Sequence, residues 1–229
     1  MIKKEDYYYP TEEFKKSAWI NDEKIYKEAE KDPIKFWEKL ANELSWKKKW
    51  EKAFEHQPPY FKWFVGGKLN ITESIFASLE KSEAPHRTCS GARDKIAIIW
   101  EPEPVNEKIK TFTYQQLFEE VNKFANALKS LGVKKGDRVG IYLPMIPEVI
   151  ISMLACARIG AVHTVVFSAF SPTALQTRLI DSEAKILITA DGYYRNGGLI
   201  NLKNNADAGV QGTMVEKIIV VKRAANEVN

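Results

Sequence analysis

Short apolar runs alternate with longer amphipathic segments in the middle of the chain, from Thr111 to Thr189. The runs are rich in Val and Ile, and each follows a segment in which apolar residues recur every three or four positions; they are Val139–Leu143, Ala161–Phe167 and Ile186–Thr189. Brief β-branched runs that alternate with helical periodicity are typical of a parallel sheet covered by helices. The pattern therefore predicts a βαβαβ arrangement and an α/β fold class.

The helices of this arrangement have clear start and stop signals. Thr113 and Gln116 form a capping box, and Gly132 follows the last apolar position of the helix that they begin. The next two helices have signals of the same kind, a proline or serine at the start and, for the first of them, a glycine at the end: Pro147, Gly160, Ser171 and Pro172. These residues predict where each helix begins and ends.

Further strands are predicted on both sides of this block. Lys95–Trp100 and Ile109–Thr113 are short apolar runs joined by an acidic, proline-containing turn, which predicts a hairpin-like pair. Ile218–Val221 is a last β-branched run. It predicts one more strand for the sheet.

The N-terminal segment has a different pattern. Thr11–Phe54 is rich in Lys, Glu and Trp and has helical periodicity, with helix starts predicted at Thr11, Asn21 and Asp32. We expect Pro58-Pro59 to end the helical stretch. Its aromatic residues predict a hydrophobic face for packing, and an aromatic cage for a ligand is the alternative.

Composition limits the classes of function. The chain has 229 residues, of which 45% are hydrophobic, enough for a core, and its net charge of +4 is spread along the sequence. Nucleic acid is not indicated as a partner, because no basic stripe with interleaved aromatic residues is present. No run approaches about 20 apolar residues, and the N-terminus lacks the apolar core of a signal peptide, so we expect a cytoplasmic protein without a membrane partner.

Cysteine and histidine usage indicates no redox or metal chemistry. Cys156 lies in an apolar helical segment, as expected of a small buried hydrophobe, and Cys89 has no partner motif. The histidines His56, His86 and His163 lack the spacing of metal ligands, so we predict no metal site.

Whole phrases of the sequence carry a specific resemblance. Residues 132–172, GVKKGDRVGIYLPMIPEVIISMLACARIGAVHTVVFSAFSP, closely resemble the N-terminal region of AMP-forming acetyl-CoA synthetases, members of the acyl-adenylate-forming superfamily. The resemblance continues upstream in KFWEKLANELSWKKKWEKAF and FKWFVGGKLN, and downstream in RLIDSEAKILITADGYYRNGGLINLKNNADAGV. It extends from about Pro33 to Lys222.

The resemblance implies a division of the chain into three parts. Residues 1–69 are expected to form the helical, aromatic-rich N-terminal segment of the acetyl-CoA synthetase type, and residues 95–229 the first part of the AMP-forming α/β domain. Residues 70–94 are divergent, because the Asp-Arg-His triplet that the family has there is absent. An insertion and a locally frameshifted stretch are the two interpretations, and the latter requires Asp-Arg-His text in another reading frame of the gene.

The activity implied by the resemblance is acetate–CoA ligation. Such ligases form an acyl-adenylate from a short carboxylate and Mg-ATP, release pyrophosphate, and transfer the acyl group to CoA. Their triphosphate is held by a Thr/Ser/Gly-rich loop that ends in Pro-Lys-Gly, and no such loop occurs in this sequence. We therefore expect no catalytic residue in this chain and no adenylation by it alone.

Part of the CoA-binding face is present by the same resemblance. The adenine and 3′-phosphate of CoA are expected at Phe167, Ser168, Ala169 and Arg195. Strand ends at the carboxyl edge of a parallel sheet bind ligands, and an arginine suits a phosphate as a charged, bidentate donor. The family often has a second basic residue at or beside Gly198, so we expect a reduced affinity for CoA.

Three other interpretations of the function stay open. The first is a non-catalytic module that binds CoA or a nucleotide or mediates an interaction. The second is one chain of a split ligase that pairs with a separately encoded C-terminal chain, and the third is the product of a decayed gene, without activity. The open edge of an incomplete sheet also predicts self-association. Asp191, which follows a predicted strand, is a candidate for either capping or binding.

Overall fold

The computed structural model describes residues 2–80 and 93–228. The chain divides into two units, Met1–Leu69 and Asn70–Asn229. In the described residues no helix is long and apolar enough to cross a membrane.

The N-terminal unit contains three short helices and three antiparallel strand pairs within its described residues. The pairs are β1–β2, β3–β6 and β4–β5. The elements in chain order are β1 (Ile2–Lys4), β2 (Tyr7–Tyr9), α1 (Glu12–Ser17), α2 (Lys24–Lys31), α3 (Pro33–Ala41), β3 (Trp46–Lys48), β4 (Lys52–Gln57), β5 (Tyr60–Val65) and β6 (Lys68–Leu69).

The helix starts of this unit follow the sequence signals, but the helical prediction extends too far. Thr11 and Asp32 cap α1 and α3 with their side chains, and α2 begins three residues after Asn21. Helix up to Phe54 is wrong, because β3 occupies residues 46–48 and β4 occupies residues 52–57. Phe54 pairs with Trp63 across β4 and β5 with ring centroids 4.7 Å apart, and this cross-strand contact overrides the helical propensity of the Lys- and Glu-rich segment. Pro58-Pro59 is the turn between these strands and not the end of a helix.

The aromatic residues of the N-terminal unit pack on one another. Trp46, Trp50 and Phe64 lie with ring centroids 4.9–5.5 Å apart. The Trp46 Nε1 donates to the Ala41 carbonyl at 2.7 Å, and the Trp50 Nε1 donates to a Glu38 carboxylate at 2.8 Å. Rings in mutual contact with satisfied N–H groups form a small core, which favours the packing interpretation over a ligand cage.

The second unit contains the α/β arrangement. Its elements in chain order are α4 (Ile71–Ile75), α5 (Ala77–Glu80), β7 (Ile96–Trp100), β8 (Lys110–Thr113), α6 (Tyr114–Ser130), β9 (Arg138–Tyr142), α7 (Pro147–Ile159), β10 (Val162–Val165), α8 (Pro172–Ser182), β11 (Ile186–Ala190), β12 (Tyr193–Arg195), β13 (Gly198–Ile200), α9 (Leu202–Gly209) and β14 (Lys217–Val221).

A parallel sheet of the order β10-β9-β11-β14 confirms the predicted fold class. The chain runs β9-α7-β10-α8-β11, as the periodicity predicts, and β14 joins as the additional strand. All five residues of β11 are buried, as expected of a central strand covered on both faces. The hairpin-like pair of β7 and β8 is also confirmed.

The predicted helix signals are confirmed in the structure. Thr113 and Gln116 exchange both bonds of the capping box at the start of α6. Pro147 begins α7, and Gly160 ends it with a left-handed φ of 74° that a residue with a Cβ adopts only at a cost. Ser171 caps α8 by accepting the backbone N–H of Ala174.

In the described part of the second unit, two buried clusters stabilise the fold. The larger one lies between the sheet and its helices, around the fully buried Ile141, Leu175 and Leu187. The smaller one joins α4, α6 and α7 through side chains such as Phe76 and Val121. The helices therefore position the strand ends rigidly.

The divergent stretch predicted at 70–94 lies only partly within the described residues. Residues 70–80 form α4 and α5, with Asn70 capping α4 through a bond from the backbone N–H of Thr72. The Asn70 amide also donates to the carbonyls of Ala157 and Arg158 at the end of α7, at 3.0 and 3.1 Å. His86 and Cys89 lie outside the described residues.

Close packing of β9 against α8 makes Gly140 a test of this fold. A Cβ at Gly140 would lie 2.7 Å from Cδ2 of Leu179 and 3.1 Å from Cδ1 of Leu187. We expect Gly140→Ala to lower the free energy of unfolding by about 1–3 kcal/mol through overpacking, measured by urea denaturation. Gly198→Ala is the control, because its Cβ would meet only the Arg195 carbonyl at 3.5 Å. Equal stability of the two variants would contradict this packing.

Candidate functional site

A cavity of about 180 Å³ lies at the carboxyl edge of the parallel sheet. Each of the four strands contributes through the segment that follows it: Pro144 to Ile146 after β9, Phe167 and Ser168 after β10, Tyr193 to Arg195 after β11, and Arg223 after β14. Trp100, Glu101 and Glu103 complete the lining from the end of β7. Ligands of open α/β sheets bind at this edge, so the cavity is the candidate site.

Three of the four predicted site residues meet in this cavity. Phe167 is half exposed, Ser168 is buried, and Arg195 is exposed at the rim. Ala169, the fourth, is exposed in the same loop and is not part of the lining. The fold brings Phe167 and Arg195, which are 28 positions apart in the chain, into one site. The assignment of CoA contacts to these residues stays a prediction.

The loop that carries Phe167 is fixed by a hydrogen bond from a buried tyrosine. The Tyr142 hydroxyl donates to the Phe170 carbonyl at 2.7 Å, and the Phe170 N–H donates to the Phe167 carbonyl at 2.9 Å. The rings of Phe167 and Phe170 meet edge to face with centroids 5.8 Å apart. These contacts keep the Phe167 ring at the cavity and leave part of it accessible to a ligand.

Arg195 lies at the end of a short hairpin rather than in an irregular loop. Strands β12 and β13 pair antiparallel, with Arg195 opposite Gly198. The turn residues Asn196 and Gly197 have φ values of 51° and 72°. Two consecutive positive φ values at Asn-Gly are typical of the tight turn that matches the twist of paired strands. This Asn-Gly signal was available in the sequence and predicts a hairpin.

Arg223 is a second guanidinium in the cavity, and the sequence analysis missed it. Its Nη2 lies 2.6 Å from a carboxylate oxygen of Glu107, and both side chains are mostly buried. Its Cζ lies 5.1 Å from the ring centroid of Trp100 and 5.2 Å from that of Tyr194, so the cation contacts two aromatic rings. The only signal in the sequence is its position after a β-branched run, which places it at the carboxyl edge once the sheet is parallel.

Asp191 organises the backbone under the cavity, which decides between capping and binding. Its Oδ1 accepts the backbone N–H groups of Gly192, Arg223 and Ala224 at 2.7–2.9 Å, and its Oδ2 accepts that of Asn226 at 3.0 Å. The side chain is 1% exposed. Burial acts to raise the pKa of the Asp191 carboxyl, but the four amide donors outweigh it and hold the pKa below its ordinary value. Its role in the structure is therefore capping.

The lining is suited to binding rather than to covalent chemistry. The half-exposed Phe167 ring is available for a flat base, and the exposed Arg195 guanidinium for a phosphate. Cys156 is buried in α7, where burial raises the pKa of its thiol to about 12, so it is not an activated nucleophile. Within the part of the chain that the structure describes, no three His, Cys, Asp or Glu side chains converge to hold a metal ion.

Replacement of the Asp191 carboxylate tests its role beneath the site. Asp191→Asn places an amide NH₂ against backbone donors, so we expect a loss of about 1–3 kcal/mol in the free energy of unfolding at pH 7. Because the pKa of this carboxyl is lowered on folding, its stabilisation is present above the ordinary value of 3.8 and is lost as the pH falls through the lower folded-state value. The difference in the free energy of unfolding between the wild type and Asp191→Asn, measured by urea denaturation, should therefore become smaller below pH 3.8.

Asp181→Asn is the matched control, because Asp181 is exposed on α8. We expect Asp181→Asn to change the free energy of unfolding by less than about 0.5 kcal/mol, both at pH 7 and below the ordinary pKa of 3.8. If Asp191→Asn lowered the free energy of unfolding by the same amount at every pH, the hydrogen bonds from backbone N–H groups to the Asp191 carboxylate would be contradicted as its cause.

Comparisons with known proteins agree with this architecture. Residues 86–228 match the family model described as AMP-binding enzyme, and residues 22–75 match that described as acetyl-coenzyme A synthetase N-terminus. An acetyl-coenzyme A synthetase of Rubrobacter xylanophilus is 47% identical over 97% of this chain, and one of Gemmatimonas aurantiaca is 46% identical over 93% of it. These matches cover 33% and 31% of the two relatives, so the chain spans about a third of their length.

A solved structure supports the fold alone. Acetoacetyl-CoA synthetase from Streptomyces lividans superposes with a TM-score of 0.75 over 87% of this chain and 30% of its own, at 23% identity.

Proposed function

The chain belongs to the AMP-binding enzyme family, and on this basis we propose that it is the N-terminal part of an acetyl-CoA synthetase-like ligase. The overall reaction joins a short carboxylate to CoA and converts ATP to AMP and pyrophosphate. Both the family match at residues 22–75 and the identity of about 46% over nearly the whole chain support this reading. The carboxylate that is activated has no assigned site among these residues.

The contribution of this chain to the reaction is the binding of CoA. The observation that carries this proposal is the meeting of Phe167, Ser168 and Arg195 in one cavity at the carboxyl edge of the sheet. The Phe167 face offers a stacking surface for adenine, and the small Ser168 lets the base approach the backbone. The exposed Arg195 guanidinium is the donor for the 3′-phosphate, and Ala169 borders the same loop.

The size of the cavity limits what it holds. Pockets that bury most of a drug-sized ligand measure about 300–1,000 Å³, and this one measures about 180 Å³. It therefore accommodates the adenine end of CoA, while the rest of the molecule extends over the surface. Gly198 supplies no side chain beside Arg195, so a single exposed guanidinium faces the phosphate and the affinity is modest.

CoA binding through Arg195 is tested by calorimetry with CoA and 3′-dephospho-CoA. Arg195→Gln removes a charged donor, so we expect it to weaken CoA binding by about tenfold or more and to leave the binding of 3′-dephospho-CoA unchanged. Arg138→Gln is the control, because it removes the same charge at the start of β9, on the opposite edge of the sheet. Equal loss in both variants would mean that net charge, and not a contact, governs binding.

Adenylate formation requires residues that are not among these 229. The sequence contains no Thr/Ser/Gly-rich segment ending in Pro-Lys-Gly to hold the triphosphate. We expect no ATP–pyrophosphate exchange from the purified 229-residue chain. Exchange is expected when it is mixed with the C-terminal two thirds of the Rubrobacter xylanophilus relative.

Each outcome of the exchange assay has a distinct meaning. Exchange by the 229-residue chain alone would contradict the assignment of adenylation to other residues. Calorimetric binding of CoA without exchange in the mixture would favour a CoA-binding module that has no part in catalysis. Exchange that occurs in the mixture, but not with the 229-residue chain alone, would support a ligase assembled from two polypeptides.

A further inference from the structure

The loop between β7 and β8, residues 101–109, reaches two separate segments of the cavity. We call it the acidic loop, because it carries Glu101, Glu103 and Glu107. The Glu103 Oε1 accepts the backbone N–H of Asn196 at 2.8 Å, in the turn of the β12–β13 hairpin. Glu107 pairs with Arg223 at 2.6 Å. The loop thus contacts the hairpin that carries Arg195 from across the cavity.

We propose that Glu103 is a positioning residue of the CoA site, which holds the Asn196-Gly197 turn so that Arg195 presents its guanidinium to the 3′-phosphate. This inference rests on the proposed function, since it assigns to Glu103 a role in the same site. Glu103 itself does not bind the phosphate. It acts through the backbone of the residue next to Arg195.

The hairpin needs such a tether because its strands are short and its turn is exposed. Strands β12 and β13 have three residues each and form a sheet of their own, separate from the parallel sheet. A two-stranded hairpin is only marginally stable in isolation. Residues 195 to 199 are all exposed. Without an anchor at the turn, binding would have to restrict both the backbone and the long Arg195 side chain, at a cost in entropy.

A second anchor holds β12 on the other side of Arg195. The Tyr194 ring lies against the Arg223 guanidinium, which is itself fixed by Glu107 and by the Trp100 ring. The Trp100 Nε1 donates to the Met145 carbonyl at 2.9 Å, which ties this stack to the segment after β9. With the strand held at Tyr194 and the turn held at Asn196, the position between them is Arg195.

By charge alone, the carboxylates of the acidic loop would weaken the binding of a phosphate, whereas the proposed positioning role of Glu103 strengthens it. A glutamate at the rim of a phosphate site repels the ligand, so its removal should strengthen binding if it acts only as a charge. Glu101 lines the same cavity and makes no hydrogen bond or ion pair with another part of the described structure. It therefore reports the charge effect alone, whereas Glu103 combines the charge with the bond to Asn196.

The test compares the affinities of the full chain for CoA and 3′-dephospho-CoA by calorimetry. Their ratio, the phosphate preference, measures how well Arg195 reaches the phosphate, and we expect about tenfold or more in the wild type. Glu103→Ala should reduce this preference to about threefold or less without changing the affinity for 3′-dephospho-CoA. Glu103→Gln keeps an acceptor for Asn196 and should retain the preference. Glu101→Ala should leave it equal or higher.

Amide hydrogen exchange of Asn196 supplies a readout that does not depend on CoA. Faster exchange of this amide in Glu103→Ala than in Glu101→Ala, at equal melting temperature, supports the tether. A phosphate preference in Glu103→Ala that equals or exceeds that of Glu101→Ala would overturn the inference while the CoA site stands. Absence of CoA binding by the wild type would overturn the proposed function and this inference with it.

Discussion

The carboxylate of Asp191 is the interaction on which the candidate site depends. It lies directly after the central strand β11 and accepts four backbone N–H groups, one from its own segment and three from residues 223–226. A buried charge is tolerated only when its lone pairs are satisfied, and here they are satisfied by backbone amides, which among substitutions only a proline would remove. The ends of β11 and β14 are thereby joined, and Tyr193 and Arg223 arrive at the same cavity.

The periodic part of the fold was predictable, and the N-terminal unit was only partly so. Buried strands and amphipathic helices with proline, serine and glycine signals leave few alternatives, so the βαβαβ order and its boundaries follow from local pattern. Residues 46–57 have the composition of a helix but pair through aromatic contacts such as Phe54 with Trp63. Those contacts become visible only when the partner strand is known, because a strand preference reflects packing across the pair.

The candidate site, too, was predictable only in part from the sequence. Phe167 and Arg195 were found through the resemblance, and the parallel topology explains why they meet. Trp100, Glu103 and Arg223 were not found, because their roles come from contacts between residues 45 to 116 positions apart in the chain. No local period encodes such pairs. The Asn-Gly turn beside Arg195 was the one local signal that would have identified the hairpin.

The close approach at Gly192 has a consequence for the evolution of this gene. A Cβ there would lie 2.6 Å from the Nδ2 of Asn226 and 2.7 Å from the Ile200 carbonyl. Any missense change of this codon therefore disturbs both the hairpin and the segment after β14 in a single step. Exposed positions such as residues 195–199 carry no comparable limit of space, so substitutions accumulate there at a lower cost to the scaffold.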